Sequence, residues 1–147
     1  LDIQSGVGME RDVFESVTYA AMCQDCGAEL ECHGVQALVG GRLRWDVESA
    51  CPSCGFALAL CGGDLPGERR EQLLAEHGPA VLQVLGASPN SVVIMRVLRA
   101  EFGTDLAATR AVLRSVLSGD CTGTLPEMEH VARRLRASGI TAVAARA

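Results

Sequence analysis

Between residues 42 and 49 the run RLRWDVES alternates without a fault. Leu43, Trp45 and Val47 fall on one side of an extended chain, and Arg42, Arg44, Asp46 and Glu48 on the other, which predicts a half-buried strand. Gly40-Gly41 just before it suits a tight hairpin turn, and Glu29 and Glu31 on the preceding strand are expected to face Arg42 and Arg44 across the ladder. Upstream, Val13, Glu15, Val17, Tyr19 and Ala21 share one face of another extended segment, and FALAL after residue 55 supplies a further strand.

The period then changes. ERREQLLAEHG (68–78) reads as a short amphipathic helix stopped by Gly78-Pro79, and AVLQVLG (80–86) as a strand. SVVIMRVLRAEFG (91–103) places either Val92, Met95 and Leu98 or Val93, Val97 and Leu98 on one side of a helix closed by Gly103. In DLAATRAVLRSVLSG (105–119) Leu106, Thr109, Val112, Leu113 and Val116 form an apolar stripe. TLPEMEHVARRLRASG (124–139) has Thr124 and Glu127 at capping-box spacing, and ITAVAA is a terminal strand. With DCTGT as a short middle strand, the second half has the order β-α-α-β-α-β, with three helices on a three-stranded sheet. GGDLPGERR at 62–70, dense in Gly and Pro, marks the boundary. The expected class is α+β: a small β domain over 9–64, a linker with a short helix over 65–79, and a mixed domain over 80–147. Met9 is read as the native start and residues 1–8 as an added remnant.

Composition changes this picture in two ways. Hydrophobic residues make up 48% of the 147 but aromatics only 3%, so the core must rest on Ala, Val and Leu. The sequence contains no run of the ~18 apolar residues that a membrane-spanning helix needs. The first half carries ten acids against three arginines, the second eight against ten, and lysine is absent. An acidic first half is a poor phosphate binder, which argues against nucleic acid as a partner.

The chemistry sits in the acidic half. Cys23-x-x-Cys26 and Cys51-x-x-Cys54 are two knuckles, each continued by glycine (Gly27, Gly55), with Pro52 stiffening the second. Each turn presents two thiolates from one loop, and two facing turns offer the tetrahedron that zinc accepts without strain. The expectation is one structural zinc on Cys23, Cys26, Cys51 and Cys54 in a zinc ribbon. Four cysteines close the position that a catalytic zinc would keep open. Iron is the alternative, because CPSCG also resembles the knuckle of rubredoxin, and a four-sulfur tetrahedron does not by itself separate the two metals. Neither motif opens the helix of a thioredoxin-like unit, which argues against dithiol chemistry. Seven cysteines without a signal-peptide pattern fit a reduced, cytoplasmic setting. Of the others, Cys32 is read as a small buried hydrophobe, His33 before Gly34 as a turn residue, Cys61 as a spare thiol and Cys121 as isolated. His77 and His130 read as solvated helix positions.

VVIMRVLRAEFGTDLAATRAVL, followed by TLPEMEHVARRLRASGITAVAA, resembles the C-terminal domain of the bacterial ribosomal stalk protein. In that family basic residues of the first two helices bind translational GTPases. The resemblance places Arg96 and Arg99 at basic sites of the first helix and Arg110 at the second basic site of the next. The first basic site of that helix is Ala107 here, and a turn glycine is Asp105. A knuckle domain stands where that family has its dimerisation region and hinge.

No serine–histidine–acid set, phosphate-cradling glycine loop or carboxylate pair stands out. The reading leans away from an enzyme and toward a zinc-binding adaptor that meets a protein partner. An iron electron carrier of rubredoxin type and an accessory protein of ribosomes or translation factors are the alternatives.

Overall fold

A computed structural model describes residues 11–86 and 90–146; residues 1–8 and Met9 lie outside the described residues. Four strands, β1 (Val13–Met22), β2 (Glu29–Val39), β3 (Arg42–Ala50) and β4 (Ala57–Gly63), form an antiparallel sheet in the order β1-β2-β3-β4. The central strand β2 follows the two-residue period closely. Leu30, Cys32, Gly34, Gln36 and Leu38 are buried, while Glu29, Glu31 and His33 face outward.

Gly40 and Gly41 both have positive φ, 58° and 79°, as a two-residue turn with the right twist for a hairpin demands. That turn sets the register, since residues pair at equal distances from it. Arg42 therefore meets Val39, Arg44 meets Ala37, and Glu31 meets Ala50. The expected ladder from Glu29 and Glu31 to Arg42 and Arg44 does not form. Arg44 turns along its own strand to Asp46, 3.1 Å away, and Asp46 also accepts the Gly62 N–H at 2.8 Å.

His33 is not a turn residue, because Gly34 is a glycine for another reason. The indole of Trp45 lies over it, and a Cβ on Gly34 would come within 2.2 Å of the ring. The strand runs straight through both residues. Leu43 shares the parity of Trp45 and Val47 but lies at the end of the sheet and remains 38% exposed.

The remaining chain forms four helices and three short strands among the described residues: α1 (Gly67–His77), β5 (Ala80–Val84), α2 (Ser91–Phe102), α3 (Leu106–Ser118), β6 (Thr122–Gly123), α4 (Leu125–Ala137) and β7 (Ala142–Arg146). The expected mixed α+β character holds. The second sheet is antiparallel with order β6-β5-β7. Leu82, Ile94, Leu98, Val116, Met128 and Leu135 fill its core. Of the two faces open for α2, the one carrying Val97 and Leu98 is buried, together with Ile94; Val92 is 69% exposed.

Local chemistry sets the ends of these helices. Asn90 accepts the Val93 N–H at 3.2 Å and Asp105 the Ala108 N–H at 2.8 Å. Thr124 and Glu127 form a reciprocal capping box on α4.

The two sheets are joined through α1 and α4. Leu73 of α1 is fully buried against Val17 and Trp45. Arg70 clamps Glu127 through two 2.8 Å hydrogen bonds. Thr124 donates its hydroxyl proton to Gln36 at 2.6 Å. Gly123 sits where a Cβ would come within 2.7 Å of the Glu127 carboxylate, so a side chain there would push on the carboxylate that Arg70 holds.

Candidate metal centre

The two cysteine turns lie at the same end of the first sheet, one between β1 and β2 and the other between β3 and β4. They have matching hydrogen bonds. Gly27 N–H donates to Cys23 C=O and Gly55 N–H to Cys51 C=O, both at 2.9 Å; Cys23 N–H donates to Ala28 C=O and Cys51 N–H to Phe56 C=O, both at 2.8 Å. Each turn closes through a glycine of positive φ, 77° at Gly27 and 82° at Gly55, a conformation that a Cβ would strain. The β2–β3 hairpin between the knuckles brings the two loops to the same place.

Cys23, Cys26, Cys51 and Cys54 are brought together, with all four sulfurs within 4.8 Å of one another. Cys23 Sγ lies 3.7 Å from Cys54 Sγ, and Cys26 Sγ lies 3.6 Å from Cys51 Sγ. A tetrahedron with metal–sulfur bonds of about 2.3 Å has an edge of about 3.8 Å, so these spacings suit four thiolates around one ion. They are far beyond a sulfur–sulfur bond of about 2.05 Å. Cys23 and Cys51, the first residue of each knuckle, are buried; Cys26 and Cys54 are exposed.

The thiols are electrostatically unequal. Hydrogen bonds from the Cys54 and Ser53 amides draw the Cys51 thiol down to about 7 against opposing desolvation. At Cys54 the Phe56 amide favours the thiolate, but desolvation and the sulfurs of Cys23, Cys26 and Cys51 outweigh it and push the thiol up to about 12. Cys26 is also raised: the Ala28 amide opposes the change, and contact with Cys51 together with desolvation overcomes it. Adjacent thiolates repel, and a divalent cation removes that repulsion for all four at once.

The remaining cysteines stay outside the group. Cys32 is buried beside Cys23, Leu30 and Cys51, and its sulfur accepts the Ser49 hydroxyl at 3.4 Å. Cys61 is exposed on β4. Cys121 lies in the core of the second sheet, where burial raises its thiol.

Two histidines differ from expectation. His77 Nε2 donates to the Ser16 carbonyl at 2.7 Å, and His130 Nε2 lies 2.8 Å from the Glu101 carboxylate with its side chain only 18% exposed. Neither is a solvated position, because each helix packs that face on another element. Glu101 also meets Arg134 at 3.4 Å, one helical turn beyond His130. The (i, i+4) spacing of His130 and Arg134 was the available sequence signal; their shared partner on α2 was not. A cleft of about 590 Å³ includes Glu101, Cys121, Glu127 and His130 in its lining.

Arg96, Arg99 and Arg110 are exposed. Arg96 and Arg99 line a shallow groove of about 480 Å³ with Val92, Met95, Ala100 and Leu106; Arg110 does not line it. No helix among the described residues is long and apolar enough to cross a membrane.

In comparisons with known proteins, no protein-family model, no curated protein and no solved structure matches this chain. The likeness to the stalk protein's C-terminal domain therefore rests on the residues quoted for it.

Proposed function

We propose that this chain is a zinc-binding protein in which Cys23, Cys26, Cys51 and Cys54 hold one structural ion, and that it acts as a non-enzymatic adaptor in a reducing, cytoplasmic setting. The supporting observation is the convergence of four sulfurs from two matching knuckles at tetrahedral spacing. A divalent ion with four thiolate ligands has no vacant position for water or substrate, so its role is to hold β1–β4 together. Elemental analysis and native mass spectrometry of the purified chain test this: one zinc per chain is expected, with loss of the metal in Cys23→Ser/Cys51→Ser. A chain that binds no metal would overturn it.

Iron is the second reading. Amide N–H groups aimed at Cys26, Cys51 and Cys54 would stabilise a thiolate-bound iron, and the exposed Cys26 and Cys54 would offer an electron a short path to solvent. Iron with reversible one-electron reduction supports this reading; a colourless zinc protein removes it.

For the adaptor role, the groove carrying Arg96 and Arg99 beside Val92 and Leu106 offers charge and apolar area together. It is our proposed site for a protein partner of the kind that the stalk-like resemblance implies, associated with ribosomes or translation factors, with Arg110 as an outlying contact. Affinity capture with the native chain and with Arg96→Glu/Arg99→Glu tests it. Loss of specific partners is expected in the variant, and an unchanged set would sink that surface.

A further inference from the structure

The four sulfurs of the metal centre are not equally placed. Cys26 and Cys54, the second cysteine of each knuckle, are exposed, while Cys23 and Cys51 are buried. Both short sulfur contacts run from one knuckle to the other: exposed Cys54 to buried Cys23 at 3.7 Å, and exposed Cys26 to buried Cys51 at 3.6 Å. They divide the four sulfurs into two crosswise pairs with none left over. Cys32 stands outside both pairs. It packs beside Cys23 and Cys51, and its sulfur is engaged by the Ser49 hydroxyl at 3.4 Å.

Four ligating cysteines are thiolates, the form that a peroxide attacks. An oxidant in solvent reaches the two exposed sulfurs first. Each of these already has a second thiolate beside it, close enough to intercept the oxidised sulfur before it goes further.

We infer that the centre is a redox switch, which hydrogen peroxide converts from a metal-held state to one held by the disulfides Cys23–Cys54 and Cys26–Cys51. The inference rests on the metal reading above. The Cys54 thiolate attacks the peroxide; an S–O bond forms, the O–O bond breaks, and hydroxide leaves a sulfenic acid behind. The Cys23 thiolate then attacks that sulfur, forms the S–S bond and expels the second hydroxide. The pair loses two electrons, and both peroxide oxygens depart as hydroxide. A second peroxide oxidises Cys26 and Cys51 in the same way.

A disulfide is not a thiolate ligand, so the two bonds release the ion. The bonded cysteines are 31 and 25 residues apart in sequence, and each bond joins knuckle to knuckle as the ion did. Oxidation therefore removes the metal and leaves a staple in its place. Chelation under reducing conditions removes the metal and leaves none. A dithiol reductant restores the four thiolates, and the site reloads.

Peroxide titration of the full, zinc-loaded chain tests this, in a Cys61→Ser background that removes the exposed thiol outside the site. Zinc release is followed with a chelating dye, and the disulfides are mapped by non-reducing digestion and mass spectrometry. The expected results are one zinc released per two peroxides, crosswise links only, and Cys32 and Cys121 still reduced. Amide exchange in β1–β4 should be at least about tenfold slower in the oxidised chain than in the chelated, reduced one. Links within a knuckle, a link to Cys32, or zinc retained under excess peroxide would overturn the inference. So would zinc release that dithiol treatment does not reverse. A chain isolated without metal would overturn the metal reading before any peroxide is added. The pairing is then read on that chain, where crosswise links support the switch and any other pattern removes it.

Discussion

The hydroxyl of Thr124 lies 2.6 Å from the side-chain oxygen of Gln36, a residue 88 positions earlier in the chain. Both are buried, and the same hydroxyl accepts the Glu127 N–H at 3.3 Å. One threonine thus caps α4 and ties it to the central strand of the first sheet. Through Glu127 the link continues to Arg70 on α1.

Thr124→Ala should remove the cap, at about 0.5–2 kcal/mol, and leave the buried Gln36 amide short of a partner, at about 1–3 kcal/mol. Urea unfolding is expected to show a loss of about 2–4 kcal/mol, with Thr124→Ser close to native. A change under about 0.5 kcal/mol for Thr124→Ala would mean that this contact does not couple the two sheets.

The Glu127 carboxylate is held below its ordinary 4.5: desolvation raises it, but the hydrogen bonds from Arg70 and the Thr124 amide outweigh that. A carboxyl group depressed in the folded state adds stability that is complete above the unfolded value and fades as pH falls through the folded one. Native stability should therefore fall on acidification below roughly pH 4.5. Glu127→Gln should be less stable at neutral pH and show a shallower acid limb in denaturation at several pH values. Parallel acid limbs would contradict the assignment.

Gly34→Ala places a methyl group where the indole of Trp45 already lies, 2.2 Å from its nearest ring atom. Displacing the ring should cost about 1–3 kcal/mol or more. Trp45 is the sole tryptophan, so its fluorescence reports the shift directly. Trp45→Leu should make the alanine nearly neutral in a double-mutant cycle; additive losses would show that the ring is not the obstacle.

Glu15 is buried on the inner face of β1, and Arg146 Nη2 lies 2.7 Å from its carboxylate without the alignment of a hydrogen bond. Arg146→Ala should leave a buried, uncompensated charge and cost about 3–5 kcal/mol. Adding Glu15→Met should restore most of that loss in thermal or urea unfolding. If the single variant is as stable as the native chain, the pair is not a buried charge match.

Much of this was legible in sequence because the signals were local. The cysteine spacing picked out the four sulfurs that converge, and the Thr124–Glu127 interval gave a capping box. The failures came from contacts made at a distance. Gly34 looked like punctuation because nothing nearby announces that Trp45 will lie on it. The Glu–Arg ladder was misread because a two-residue turn fixes register by counting from the turn, and charge attraction does not override that. His77 and His130 looked solvated because their partners, the Ser16 carbonyl and Glu101, lie on elements far away in sequence.

The central claim is that four thiolates hold one metal ion that organises the first sheet. Its most direct test is the metal content of the native chain, read together with amide exchange of β1–β4 before and after chelation. One zinc per chain, lost together with protection across those strands, is the expected result. A metal-free chain whose four strands remain protected would contradict it.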